Sequence, residues 1–232
     1  MTIGGGQILV EPEKRTRKTA TRDAILETSR LQFNRTGVQA TAIYKVATDL
    51  SISPGNLNYH FKGKSEIIEA LADELDREIA SAARPFRNAL SGEEFIRAME
   101  SFLTVLWRYR FFFNASHYLG GISAELALRQ DAMRSLIRNM IRSSTADQIA
   151  RGTMRAPRAP SSAAVIGDNI VSVWIAWLQE TRPDEGADDL PPAGALQDCI
   201  EHHFSVIEPY VSEGFVERFR KALDVDGRPG TP

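Results

Sequence analysis

The stretch that decides the fold runs from Thr41 to Ile68 and reads TAIYKVATDLSISPGNLNYHFKGKSEII. Its first ten residues carry apolar side chains at the spacing of one helical face. These side chains are Ile43, Val46, Ala47 and Leu50. The pattern predicts a short helix over 41–50, packed on one side.

A second short helix follows after a break in the pattern. Ser53 is a suitable N-cap, and Pro54 suits the first position of a helix, so we expect a helix from there to about His60. Gly63 then interrupts the chain before a longer helix from Lys64 to about residue 83. Two short helices separated by a tight turn are typical of a helix-turn-helix.

Upstream of this stretch, apolar and small side chains at four-residue spacing predict a helix over 21–36, ending at Gly37. Residues 1–20 lack apolar periodicity and are rich in Lys and Arg, which favours a flexible basic arm. The helix-turn-helix domain is therefore expected over 21–66.

The helix that begins at Pro54 has the properties of a recognition helix. Leu57 and Phe61 are expected to anchor it to the core, while polar side chains point outward into a major groove about 12 Å wide. The outward positions are Ser53, Gly55, Asn56, Asn58, Tyr59 and His60. Amide side chains read base edges, and hydroxyl, imidazole and backbone N–H groups hold phosphate oxygens.

Charge is distributed unevenly along the chain. The net charge is −2, but residues 1–65 contain ten Lys and Arg against five Asp and Glu, so this part carries +5 and the remainder −7. A basic head on an acidic body suits a nucleic-acid contact confined to one end. A solvated charge run would give the same count, so charge alone does not decide between them.

The second half of the chain is also helical by period. Helices are expected from Ser91, over 131–150, over 161–180, from about residue 196 to Pro209, and over 212–223. No run of alternating apolar and polar residues is long enough to indicate a β-strand, so the sequence predicts an all-α fold. The second domain should cover 67–224, followed by a disordered tail over 225–232.

Composition limits the classes of protein to consider. Cys199 is the single cysteine, which excludes an intrachain disulfide and a cysteine zinc cage. Neither an apolar run of about 20 residues nor an export signal is present, so we expect a cytoplasmic protein without a membrane contact. Catalytic, cofactor and metal motifs do not stand out, so we expect no enzyme activity, no cofactor and no metal site.

The stretch 41–68 resembles the DNA-binding domain of TetR-family transcriptional regulators. The resemblance is carried by Ser53-Pro54-Gly55, Tyr59-His60-Phe61 and Lys64, and it extends from residue 21 to 70. Two positions depart from the family pattern. Ser51 stands where the family usually has glycine in the turn, and Asn58 stands where it usually has an aromatic side chain.

The resemblance implies roles for individual residues. Thr41 and Lys64 would each hold a phosphate, and four residues of the recognition helix would face the groove or its backbone. Asn58 instead suits bidentate pairing with adenine. The full set of candidate DNA-binding residues is Thr41, Lys45, Ser53, Pro54, Gly55, Asn56, Asn58, Tyr59, His60 and Lys64.

The resemblance also implies a small-molecule effector, bound in an apolar cavity of the second domain. Aromatic side chains concentrate over 107–118 and along 161–180, although core packing is the better interpretation for any one of them. The candidate pocket residues are Phe102, Leu106, Trp107, Phe111, Phe113, His117, Ile137, Ile170, Trp174 and Trp177.

The nearly uncharged helix over 161–180 and the last long helix are expected to form a homodimer interface as a four-helix bundle. Two recognition helices would then bind a palindromic operator in double-stranded DNA. The sequence thus predicts a transcriptional regulator. The family resemblance implies that it is a repressor, which an effector releases from DNA. A helical adaptor for proteins, or a small-molecule binder without DNA activity, remains the alternative.

Overall fold

The computed structural model describes residues 11–87, 92–183 and 189–224. The fold is all-α, as the sequence predicted. The helices of these residues are α1 Glu11–Ala40, α2 Ile43–Asp49, α3 Pro54–His60, α4 Lys64–Ala82, α5 Gly92–Arg108, α6 Arg110–Asn114, α7 Ser116–Ile122, α8 Ala124–Ala150, α9 Ala163–Glu180, α10 Ala195–Ile207 and α11 Glu213–Asp224.

The chain forms two compact units, Met1–Leu71 and Ala72–Pro232, so their division falls within α4. The sequence placed the boundary slightly earlier, at residue 66. The predicted tail over 225–232 lies outside the described residues. No helix among the described residues is long and apolar enough to cross a membrane.

The first unit packs its short helices around a small apolar core. Phe33 of α1, Val46 of α2 and Leu57 of α3 are each no more than 1% exposed. Phe61, directly after α3, is also buried. Leu57 and Phe61 therefore anchor α3 as the sequence predicted, and the polar side chains of α3 are left at the surface.

Helix α1 differs from its sequence prediction at its start. It begins at Glu11, where the sequence indicated an irregular arm, and residues 1–10 lie outside the described part. The run over 11–20 lacks apolar periodicity but is rich in Glu, Lys and Arg, which are good helix formers, and Pro12 lies within the first turn, where proline is tolerated. Missing periodicity therefore did not exclude a helix.

The backbone turns at the two positions that the sequence singled out. Gly37 interrupts α1 with φ 81° and ψ 154°, a conformation that glycine adopts without steric cost. Ser51, in the turn between α2 and α3, has φ 53°. Serine thus occupies the left-handed region at the position where a glycine would be unstrained.

The second unit is built around α5 and α9. An apolar stripe of Phe95, Met99, Phe102 and Leu106 is buried along α5. Helix α9 packs against both α8 and α10, which covers its apolar surface on more than one side. Gly167 allows the close approach of α8, since an added Cβ would lie 3.1 Å from Arg142 Cα.

Two boundaries in this unit differ from the sequence prediction. The helix expected over 131–150 begins at Ala124, where the Ser123 hydroxyl accepts a hydrogen bond from the Glu125 N–H at 3.1 Å. The aromatic segment before it forms the short helices α6 and α7, which the sequence did not predict.

Polar contacts join the second half of α4 to the body of this unit. Arg129 of α8 donates to Asp73 and Asp76, at 2.6 Å each. The Tyr109 hydroxyl donates to Glu78 at 2.7 Å, and burial with this carboxylate partner raises the pKa of Tyr109. The second half of α4 is therefore held by polar and charged partners.

Candidate nucleic-acid interface and internal cavity

Helix α3 begins with a cap that its own sequence provides. The Ser53 hydroxyl accepts a hydrogen bond from the Asn56 N–H at 3.1 Å, and Pro54 occupies the first helical position. Leu57 faces the core, so the remaining positions face outward. Ser53, Pro54, Gly55, Asn56, Asn58 and Tyr59 are all exposed. The structure thus brings six of the predicted residues together on one surface.

Tyr59 is the most prominent side chain on this surface. Its side chain is 63% exposed, which excludes a role in the core. The ammonium of Lys18 lies 4.8 Å from the centroid of its ring, and the His60 ring packs edge-on at 5.3 Å. A cation on the ring face and an imidazole at its edge together hold the phenol group in a defined position.

His60 is half-buried beside two cations. Burial lowers the pKa of His60, and the charges of Lys18 and Arg22 lower this pKa further. Its buried Nδ1 atom makes no hydrogen bond within the described residues. The imidazole is therefore neutral at pH 7, with one ring nitrogen as donor and the other as acceptor.

Thr41 does not lie where the phosphate role requires it. It is 2% exposed, and its hydroxyl bonds to the Gly37 carbonyl oxygen at 2.8 Å and the Thr36 hydroxyl at 2.9 Å. Its own N–H donates to the Gly37 carbonyl oxygen as well. Thr41 thus supplies hydrogen-bond partners to the last turn of α1. Its hydroxyl points into the protein and does not face a DNA groove.

Lys64 is likewise engaged inside the first unit. Its half-buried ammonium donates to the Val38 carbonyl oxygen at 2.7 Å, and the Gln39 carbonyl oxygen lies 3.5 Å away. Carbonyl groups at a helix end attract a cation because they have no partner within the helix. Lys64 therefore caps the end of α1, a structural role that the resemblance did not indicate.

Helix α2 adds an exposed pair that lies outside α3. Lys45 is exposed, as a phosphate contact requires. Tyr44 beside it is 71% exposed and was missed in the sequence analysis. The signal was available, because position 44 lies about 100° around the helix from Ile43 and therefore beside the apolar face rather than on it. Tyr44 thus adds an exposed aromatic side chain next to Lys45.

The second unit contains a cavity between α8 and α9 that opens to solvent. Four of the predicted pocket residues line it, namely Leu106, Phe113, Ile137 and Trp174. Arg134, Arg138, Asn114 and Gln179 add polar groups that the sequence analysis did not select.

The other predicted pocket residues lie elsewhere. Ile170 lines a second, smaller space beside His203. Phe102, Trp107, Phe111 and Trp177 are buried core residues that line neither space, since aromatic rings also serve to fill the interior between helices. The side chain of His117 lies outside the described residues.

Among the described residues, the histidines and the cysteine do not come together as a catalytic or metal-binding site. His203 is buried while its neighbour His202 is exposed, so the two imidazoles do not converge. Burial raises the pKa of the Cys199 thiol to about 12, which keeps it protonated and unreactive. No group of three or more metal-ligating side chains occurs among the described residues.

Comparison with known proteins identifies both units. Residues 25–71 match the family model described as bacterial regulatory proteins of the TetR family. Residues 74–219, more than half of the chain, match the TetR model described as bacterial transcriptional repressor. The probable HTH-type transcriptional regulator YttP of Bacillus subtilis is 32% identical over 57 residues, which span 25% of this chain and 28% of that protein.

Solved structures extend the similarity over most of the chain. A TetR-family transcriptional regulator from Marinobacter aquaeolei VT8 superposes with a TM-score of 0.72 at 26% identity, covering 90% of this chain and 99% of the other. The TetR-family regulator PfmR from Thermus thermophilus shares the fold, with a TM-score of 0.61 at 21% identity over 79% of this chain and 97% of its own.

These matches confirm the resemblance carried by residues 41–68, and with it a DNA-binding helix-turn-helix. They also confirm the prediction that the chain is not an enzyme, because proteins of this kind are transcription factors. The chain belongs to the TetR family of bacterial transcriptional regulators.

Proposed function

We propose that the chain is a cytoplasmic repressor that binds a palindromic operator as a homodimer and releases it when a small effector enters the second unit. The observation that carries the DNA contact is the outward surface of α3, where the capped, Leu57-anchored helix exposes Asn56, Asn58 and Tyr59. Asn58 pairs with a base, Tyr59 lies against the sugar-phosphate backbone, and Gly55 lets that backbone approach closely.

Exposed cations around α3 add the sequence-independent part of the affinity. Lys18 lies beside Tyr59, and Lys45 is exposed on α2. Each cation that neutralises a phosphate releases a counterion, so binding weakens with added salt. We assign both lysines to phosphates, and we withdraw Thr41 and Lys64 from this role because their polar atoms serve the fold.

The dimer contact is assigned to α9 and α10. Helix α9 leaves Val165 43% exposed, although most of its other apolar side chains are buried, and the 36% exposed Ile175 lines the cavity. Packing the same two helices of a second copy on the face that carries Val165 would cover this side chain and form a four-helix bundle. The two α3 helices would then bind half-sites about 34–36 Å apart, or a multiple of that spacing.

Helix α8 provides the physical link between the cavity and DNA binding. It lines the cavity through Arg134, Ile137 and Arg138, and its Arg129 holds Asp73 and Asp76 of α4. A ligand that favours one position of α8 therefore favours one position of α4, the helix that begins within the DNA-binding unit. Release of the operator is then a shift between two populations.

The test is an electrophoretic mobility shift with DNA from upstream of the chain's own gene. We expect a specific complex, weakened at least tenfold in Tyr59→Ala and in Asn58→Ala. Asn139→Ala, which changes an exposed asparagine of α8, is the matched control and should bind as the unchanged chain does. Specific binding that survives both α3 substitutions would contradict the assignment, and absence of any specific DNA complex would favour the adaptor alternative.

A further inference from the structure

Three arginines follow one another at four-residue spacing along one face of α8, at positions 134, 138 and 142. The carboxylate facing them is Asp168 of α9. Arg142 occupies both of its oxygens, with Nε 2.8 Å from Oδ1 and Nη2 2.5 Å from Oδ2. This pair lowers the pKa of Asp168. One of the three positive charges is therefore balanced in a bidentate ion pair.

Arg138 forms only a longer ion pair with the same carboxylate. Its Nε lies 3.8 Å from Asp168 Oδ1, which is beyond hydrogen-bond distance, and its side chain is 50% exposed. The neighbouring Arg134 donates to the Phe113 carbonyl oxygen at 2.7 Å, so its position is fixed at the cavity wall. Both residues line the cavity, and the lining residues that the structure describes include no carboxylate.

The rest of the lining is mostly apolar. Ile137, Val171 and Leu178 provide aliphatic surface from α8 and α9, and Phe113 and Trp174 provide aromatic surface. Trp174 is 1% exposed, yet its indole N–H makes no hydrogen bond within the described residues. A buried N–H without an acceptor costs free energy, and a polar atom of a bound ligand would recover it.

We propose that this cavity binds an organic acid with an apolar body, whose carboxylate pairs with Arg138 beside Arg134. Guanidinium groups bind carboxylates through two parallel hydrogen bonds, which gives both affinity and orientation. A neutral ligand of the same shape would fill the apolar part but leave Arg138 with only the Asp168 carboxylate that it shares with Arg142. The inference rests on the proposed function for its regulatory meaning, because it names the class of effector.

The first test compares acids with their neutral amides. Isothermal titration calorimetry and Trp fluorescence would be measured with octanoate, decanoate and 4-phenylbutanoate, each against the matching primary amide. We expect at least one acid to bind, at least tenfold more tightly than its amide. Failure of all three acids to bind, or equal affinity for acid and amide throughout, would overturn the proposal.

The second test removes the charge without disturbing the wall. Arg138→Gln should lower the affinity for the acid about tenfold while leaving that for the amide unchanged, and Arg138→Lys should retain part of the preference. Arg97→Gln removes the same charge from an exposed i,i+4 pair with Glu93 and serves as the control. An acid preference that is unchanged in Arg138→Gln would contradict the site.

The outcomes separate this inference from the proposed function. Ligand binding is measured without DNA, and operator binding is measured by mobility shift without ligand. If acids bind preferentially but do not release the operator, the acid site is supported and the release mechanism is contradicted. A specific operator complex combined with no preference for acids leaves the repressor standing and contradicts the acid site.

Discussion

The ammonium of Lys64, the first residue of α4, lies 2.7 Å from the carbonyl oxygen of Val38, near the end of α1. The two residues are separated by 26 positions in the chain. Carbonyl oxygens that follow the kink at Gly37 lie at a helix end and need partners from outside the helix, so this long side chain satisfies one of them. A residue that the family resemblance assigned to DNA thereby stabilises the unit that presents α3.

Replacing Lys64 with methionine should lower the free energy of unfolding. A hydrogen bond from a charged donor contributes about 1.5–3 kcal/mol, and partial exposure places the expected loss near the lower end, at about 1.5 kcal/mol. Urea unfolding followed by circular dichroism measures it. Lys45→Met, at an exposed lysine, is the control and should change stability by less than about 0.5 kcal/mol. Equal stability of both variants would contradict the capping role.

Ser51→Gly should raise stability. Ser51 has φ 53°, a region that costs a residue with a Cβ about 1–2 kcal/mol, whereas glycine adopts it freely. The greater freedom of glycine in the unfolded chain offsets part of the gain, which leaves an expected increase of about 0.5–1 kcal/mol. Thermal unfolding checks it.

The matched control for this change is Ser53→Gly, two residues further along the chain. The Ser53 backbone is extended, so glycine relieves no strain there, and its hydroxyl accepts the hydrogen bond that caps α3. Glycine at an N-cap costs only a few tenths of a kcal/mol, so this variant should be unchanged or slightly less stable. A gain in both variants, or in neither, would contradict strain at Ser51.

The sequence predicted the first unit well wherever a residue's role depends on its near neighbours. The cap at Ser53 and the anchor at Leu57 follow from local chemistry, whereas the unusual backbone at Ser51 was indicated only by the family resemblance, which places a glycine there. The contacts of Thr41 and Lys64 could not be predicted because their partners lie on α1, and contacts of this kind leave no periodic signal.

The cavity was predicted only in part for a related reason. An aromatic side chain can fill the core or line a pocket, and the sequence pattern is the same in both cases. Trp174 lines the cavity while Trp177, three positions later on α9, fills the core. Arg134 and Arg138 were missed because their meaning depends on the packing of α8 against α9, which puts one carboxylate opposite a row of arginines.

Gly55→Ala should weaken DNA binding without destabilising the fold. A Cβ at this position would meet only the Ser53 hydroxyl oxygen, at 3.8 Å, so the fold has room for it. Alanine also favours a helix over glycine by up to about 1 kcal/mol, so stability should be unchanged or higher. Operator affinity in a mobility shift should nevertheless fall at least tenfold, because the methyl group occupies the space into which the DNA backbone would move.

The control for Gly55→Ala is Thr48→Ala, an exposed residue of α2 whose hydroxyl donates to the Tyr44 carbonyl oxygen of its own helix. It should bind the operator as the unchanged chain does. Unimpaired binding by Gly55→Ala would contradict close approach of DNA to this residue, and a loss of stability would contradict the space seen around it.

Val165→Glu should convert the proposed dimer to a monomer. A glutamate at this exposed position of α9 would bury a charge in the proposed bundle, a cost of several kcal/mol in each copy. Light scattering after gel filtration should change from the mass of two chains to that of one, and operator binding should weaken strongly. Leu128→Glu, at a 70% exposed position of α8, is the control and should remain paired. A monomeric unchanged chain would contradict the dimer itself.

His203 makes stability depend on pH in a defined direction. It is 4% exposed, with Phe95 at 5.4 Å and Trp174 at 5.6 Å between ring centroids, and its Nδ1 makes no hydrogen bond within the described residues. Burial lowers the pKa of His203 to about 3, from 6.5 in an exposed imidazole. The folded chain therefore keeps His203 neutral, while the unfolded chain binds a proton as the pH falls below 6.5.

Stability should consequently be lost as the pH falls from 6.5 towards 3, because the unfolded state binds more protons over this window. Each pH unit well below the unfolded pKa contributes about 1.4 kcal/mol, so between about pH 7 and pH 5 the unchanged chain should lose about 2 kcal/mol more than His203→Phe, which does not titrate. Urea unfolding at both values measures the difference. His202→Phe, at the exposed neighbour, should follow the unchanged chain. Parallel pH dependence of the unchanged chain and His203→Phe would show that the folded and unfolded chains bind this proton equally well, which would contradict the lowered pKa of His203.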